Sequence, residues 1–170
     1  YDAEVGGTLL GQGNSLPLPA VTASTTFWVE SSQSTQGPSG TGGELTNQPG
    51  GQYHPHSARW LEFDVFESMR LVDVKLYANG TFDRGFEIID DIGQVLWSTS
   101  ATVTDGEFVL PIGFELAPGT NYGLRCTTDD PQLWREGTSS TLTYPYDLAG
   151  LGSITNSTAG PSLDYYYFFY

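Results

Sequence analysis

From Arg59 onward, apolar side chains recur at every second position in short runs, and no stretch shows the period of an amphipathic helix. Leu61, Phe63 and Val65 share one face of a first strand, and Val72, Val74 and Leu76 share one face of the next. Such alternation belongs to antiparallel strands with one face in a core and one in water. Asn79-Gly80, Asp91-Ile92-Gly93 and Asp105-Gly106 fall between the runs, and these residue types supply the positive φ that tight hairpins need. They predict strands near 71–77, 85–90, 94–99, 101–104 and 107–110. Pro118-Gly119 separates two more alternating segments, and further strands are expected near 131–135, 140–146, 151–155 and 164–170. This many short strands with no helical period predict an all-β fold: an antiparallel β-sandwich, jelly-roll-like or Ig-like.

Upstream the pattern weakens. Short strands are expected at Thr8–Leu10, at Leu16–Val21, where two prolines demote it to an edge or connection, and at Thr25–Glu30. Between Ser31 and Gln52 almost no apolar residue occurs, and the Gly, Ser, Thr and Pro content reads as a linker or long exposed loop. The predicted organisation is therefore a partial domain over 1–32, a linker over 33–52 and a β-sandwich module over 53–170. Both ends look cut from something longer.

Composition narrows the function. Twenty acidic residues face six basic ones, for a formal net charge of −14 with a single lysine, Lys75, so nucleic acid and anionic membrane surfaces are poor partners. No apolar run approaches the ~20 residues of a membrane helix. The lone cysteine, Cys126, shares period-two spacing with Tyr122 and Leu124 and reads as a buried thiol.

Two stretches resemble known modules. Tyr1 to Gly11 followed by Thr25-Thr26-Phe27-Trp28-Val29-Glu30 resembles the closing half of Ig-like repeats in secreted modular proteins of gliding and polysaccharide-degrading Bacteroidota. Leu61-Glu62-Phe63-Asp64-Val65-Phe66, with Leu133-Trp134-Arg135, Tyr144-Pro145-Tyr146 and the terminal aromatic run, resembles an uncharacterised β-sandwich module that follows such repeats. The resemblance implies export to the cell surface or medium, a multidomain parent, and an adhesive, sugar-binding or scaffolding role. The Ig-like part lacks its opening strands and would expose a sheet edge.

Several residue groups are candidates for chemistry. Trp134, Arg135, Glu136, Tyr144 and Tyr146 combine aromatic rings with polar groups able to pair with sugar hydroxyls; alternatively the rings fill the core while Arg135 and Glu136 form a surface ion pair. Asp129 and Asp130 offer oxygen ligands for calcium, as would Asp83, Asp90, Asp91, Glu136 and Asp147 in or beside turns, although turn aspartates also cap their own backbone. His54 and His56 flank Pro55 and would point the same way in an extended chain, but no third metal ligand accompanies them. Asn79-Gly80-Thr81 and Asn156-Ser157-Thr158 match the glycosylation sequon. Tyr165 to Tyr170 is apolar on both faces, as befits a central strand or one lent to a neighbour. No nucleophile motif or phosphate loop is present, which argues against an enzyme. The expectation is a non-catalytic, secreted or cell-surface module for adhesion or polysaccharide binding, with calcium as a possible cofactor. The alternative is a subunit of an extracellular filament assembled from copies of itself by β-strand exchange.

Overall fold

Leu61, Phe63 and Val65 are buried while Glu62 and Asp64 between them keep partial contact with solvent, so the sequence alternation is realised as a strand with one face in a core. The computed structural model describes residues 1–11, 17, 20–30, 37, 39–138, 140–159 and 163–170. They form two units, Tyr1–Gly37 and Pro38–Tyr170. The second holds eleven strands: β1 (Gln52–His54), β2 (Leu61–Val65), β3 (Met69–Ala78), β4 (Phe82–Ile89), β5 (Val95–Val103), β6 (Gly106–Leu116), β7 (Gly119–Cys126), β8 (Leu133–Glu136), β9 (Tyr146–Asp147), β10 (Gly152–Ser157) and β11 (Tyr166–Tyr167).

The strands make an antiparallel β-sandwich. One sheet runs β5-β4-β7-β2-β10-β9; the other runs β1-β8-β3-β6, with β11 beside β8. Leu76, Phe86, Ile88, Val103, Leu110 and Leu133 are almost wholly withdrawn from water in the core. Each contributes roughly 1.5–3 kcal/mol by burial. The segments expected at 94–99 and 101–104 are one strand, β5, because nothing in Ser98-Thr99-Ser100 interrupts the ladder with β4. Most of the stretch expected as strand 140–146 is instead loop, and only Tyr146–Asp147 pairs.

The turns depart from expectation. Asp91-Ile92-Gly93 does close a hairpin: Gly93 sits at φ 83°, and Asp90 caps it by accepting from the Ile92 and Gln94 amides at 3.1 and 2.7 Å. Asn79-Gly80, Asp105-Gly106 and Pro118-Gly119 instead carry the chain from one sheet to the other. A positive-φ dipeptide fixes a reversal but not whether the returning strand pairs or crosses. Two of these crossovers bind each other, Gly80 donating to Asp105 Oδ1 at 2.7 Å and the Asp105 amide to Thr81 Oγ1 at 3.0 Å. Beside them the fully buried Arg84 donates to the carbonyls of Asn79, Gly80, Val103 and Pro131 and stacks 3.6 Å from the Phe82 ring centroid.

The C-terminal run is wedged between two strands of its own sheet. Tyr166 and Tyr167 pair with Glu136 and Arg135 of β8, and Tyr170 exchanges both backbone hydrogen bonds with Lys75 of β3, at 2.9 and 2.8 Å. Phe168, at φ 75°, turns the chain between the two pairings. Tyr166 to Phe169 are all buried, which accounts for an apolar residue at every position. Part of the segment expected as linker also lies on this sandwich. A Cβ on Gly43 would stand 2.6 Å from the Tyr166 hydroxyl, so the glycines that read as flexible permit close approach instead.

In Tyr1–Gly37 no strand forms among the described residues. Thr8–Leu10 and Thr25–Glu30 have no regular secondary structure, and three of the six residues of Leu16–Val21 lie outside the described residues. Two hydrogen bonds join Tyr1 and Trp28, at 2.9 and 3.2 Å. One such bridge is too short to count as a ladder, and Val29 is 92% exposed.

Candidate functional site

β8 sends Trp134 and Glu136 to one side and Leu133 and Arg135 to the other. Arg135 and Glu136 therefore form no ion pair, contrary to one of the expectations above. Glu136 is 0% exposed, and its carboxylate accepts four hydrogen bonds: from the Gln48 amide at 2.6 Å, Trp134 Nε1 at 3.0 Å, Ser140 Oγ at 2.6 Å and the Tyr170 hydroxyl at 3.1 Å. Those donors stand where solvent would, and removing them would strand a charge in the interior. The Arg135 guanidinium lies 4.7 Å from the Tyr165 ring centroid and 5.8 Å from that of Tyr167, a cation–π arrangement. Gly51 is needed here, because a Cβ would fall 2.4 Å from the Trp134 indole nitrogen.

Tyr144, in the loop that leads into β9, and Tyr146, the first residue of β9, join this cluster. Tyr144 donates to the Tyr165 carbonyl at 2.8 Å and stacks on Tyr166; Tyr146 donates to Glu44 Oε1 at 2.7 Å and meets both rings edge-on. Burial, and then the hydrogen bond to Glu44, pushes the Tyr146 hydroxyl up to about 12. Burial also raises Tyr144, Tyr166 and Tyr170, the last with the Glu136 charge beside it. All five sequence-predicted ligand residues thus gather around β8 and the C-terminal run; the polar atoms of Trp134, Glu136, Tyr144 and Tyr146 are bonded to the chain itself, while the buried Arg135 Nε has no hydrogen-bond partner among the described residues. Glu44, Gln48, Ser140 and Tyr170 complete the network. Alternation could not find them, since they sit in loops or at the terminus.

The Asp129-Asp130 pair lies at the loop that enters β8. It lines an open hollow of about 330 Å³ with Pro55, His56, Ser57 and Ala58, so it meets one of the two loop histidines. Asp130, at φ 49°, accepts from Gln132 Nε2 at 2.6 Å. His54 does not line the hollow: its ring packs edge-on against both His56, 5.4 Å away between centroids, and Tyr167, its Nδ1 lies 3.2 Å from the His56 amide, and burial lowers its pKa. Among the described residues no three metal-ligating side chains converge. Asp90 and Asp147 cap their own turns, Asp147 accepting from the Gly150 amide at 3.0 Å. Cys126 is buried, which raises its thiol pKa.

No family model, curated protein or solved structure matches the chain.

Proposed function

We propose that the sandwich is a non-catalytic extracellular module that attaches a larger secreted protein to polysaccharide or to the cell surface. The observation that carries this is the hollow beside β8. It is open to solvent, has a volume of about 330 Å³, and is lined by two aspartates, a histidine and a serine, Asp129, Asp130, His56 and Ser57. Those are the groups that pair with sugar hydroxyls, whereas the polar atoms around Glu136 are already taken. The acidic surface favours neutral glycans over sulfated ones, because like charges repel at close range. Calcium would bind at the same corner, with Asp129 and Asp130 supplying two of its oxygen ligands.

A glycan array followed by calorimetry tests the reading. The expected result is binding of a neutral glycan that Asp129→Asn/Asp130→Asn abolishes and that Trp134→Ala weakens through loss of packing behind the corner. A blank array, or binding that survives the double substitution, would overturn it. Calcium is expected to raise the melting temperature of the wild type and not that of the double variant.

A further inference from the structure

The sandwich has four edges, and they are defended unequally. β1 and β9 are three and two residues long, too short to recruit a strand. β6 is long but carries Pro111, which has no amide to donate, Gly113 at φ 65°, and the charges of Glu107 and Glu115. Prolines, kinks and charges are the devices that stop one sheet edge from pairing with another. β5 is kinked only near its start, where its register with β4 shifts at Leu96, and has none of these devices from Trp97 to Val103. Its nine residues, Val95-Leu96-Trp97-Ser98-Thr99-Ser100-Ala101-Thr102-Val103, contain no charge, proline or glycine. It pairs with β4 alone, and among the described residues the amides and carbonyls along its outer side from Leu96 to Thr102 have no partner.

From this edge we infer that β5 pairs antiparallel with β5 of a second copy across a two-fold axis, joining two six-stranded sheets into one. The sequence of β5 is complementary to itself. Centred on Thr99, the pairing sets Ser98 against Ser100 and Trp97 against Ala101, within the regular part of the strand beyond the irregularity at Leu96. A large side chain meets a small one, hydroxyl meets hydroxyl, and no charge meets another. That matters in a chain of net charge −14, whose copies repel wherever carboxylates face each other. A strand from a different protein would satisfy the same backbone groups, but the self-matched register commits the edge to a copy. The contact is isologous, so it closes at two and does not grow into a filament. It is independent of the glycan reading.

Ser98 and Ser100 are exposed and would lie opposite each other twice in the dimer. Light scattering and sedimentation of the full chain, from micromolar to millimolar concentration, should show the mass rising from 18.4 kDa toward twice that value. Ser98→Lys/Ser100→Lys places like charges opposite each other and should weaken the dimer roughly tenfold or more. Ser98→Lys/Ser100→Glu places opposite charges in the same positions and should restore it, while Val109→Lys on β6 should change nothing. Circular dichroism establishes that each variant is folded. A wild type that stays monomeric throughout, or a double-lysine variant that dimerises as well as the charge-swapped one, would overturn the inference.

Discussion

Glu136 and the Asp129-Asp130 pair lie six and seven residues apart in sequence and serve opposite ends. Glu136 is enclosed, with four donors on its two oxygens; Asp129 and Asp130 line an open hollow. A carboxylate with its hydrogen bonds filled from within has become part of the scaffold, and one that faces a hollow is free to meet something else. The carboxylate is the same group in both places. What differs is whether donors from distant loops arrive first.

The strongest way to sharpen that contrast is to remove the chain that closes over Glu136. Deleting residues 164–170 strips the pairings to β8 and β3 and the Tyr170 hydroxyl together, and circular dichroism should then show no cooperative unfolding transition. Glu136→Ala should cost about 3 kcal/mol in urea denaturation, since it leaves one buried and three half-buried donors unpaired. Asp129→Asn/Asp130→Asn should stay within about 0.5 kcal/mol of the wild type. Equal losses for the two would break the contrast.

Alkaline pH comes next. Tyr146 has its pKa raised from 10 to about 12, so the fold favours the neutral phenol. Its contribution is complete below pH 10 and is lost as pH rises through about 12. Tyr146→Phe should make the fall in melting temperature over that window shallower. The smallest expected effect is acidic. Burial lowers the His54 pKa, so the fold favours the neutral ring; that contribution is present above pH 6.5 and is lost as pH falls below it. A His54→Gln variant should show a flatter stability profile on that limb.

Much of the sandwich was legible in the sequence. Period two placed β2, β4 and β7, because each strand has one wet face, and Cys126 fell on the dry face as its spacing required; it split β5 and β6 into shorter segments and put Val72 on the core face, whereas a register shift beside it leaves Val72 62% exposed. Sheet membership was not legible, because Asn79-Gly80 and Asp91-Ile92-Gly93 look alike while one crosses between sheets and the other does not. The ligand cluster was half legible. Trp134, Glu136, Tyr144 and Tyr146 do come together, but the donors that close Glu136 arrive from 88 positions upstream and 34 downstream, beyond any local pattern. The glycine-rich stretch around Gly42-Gly43 misled for a related reason: lack of side chains marks flexibility and close approach equally.

Arg84 gives the molecule a timetable. Its guanidinium lies among carbonyls that come from the β3–β4 crossover, the end of β5 and the loop before β8. The set of acceptors is complete only when all three segments are in place. Residues 79–131 are therefore expected to open as a single unit. Their amides should exchange with solvent together at one rate, while a lysine at position 84, with three donors for a cage that engages every arm of the fork, would let the corner open piecemeal.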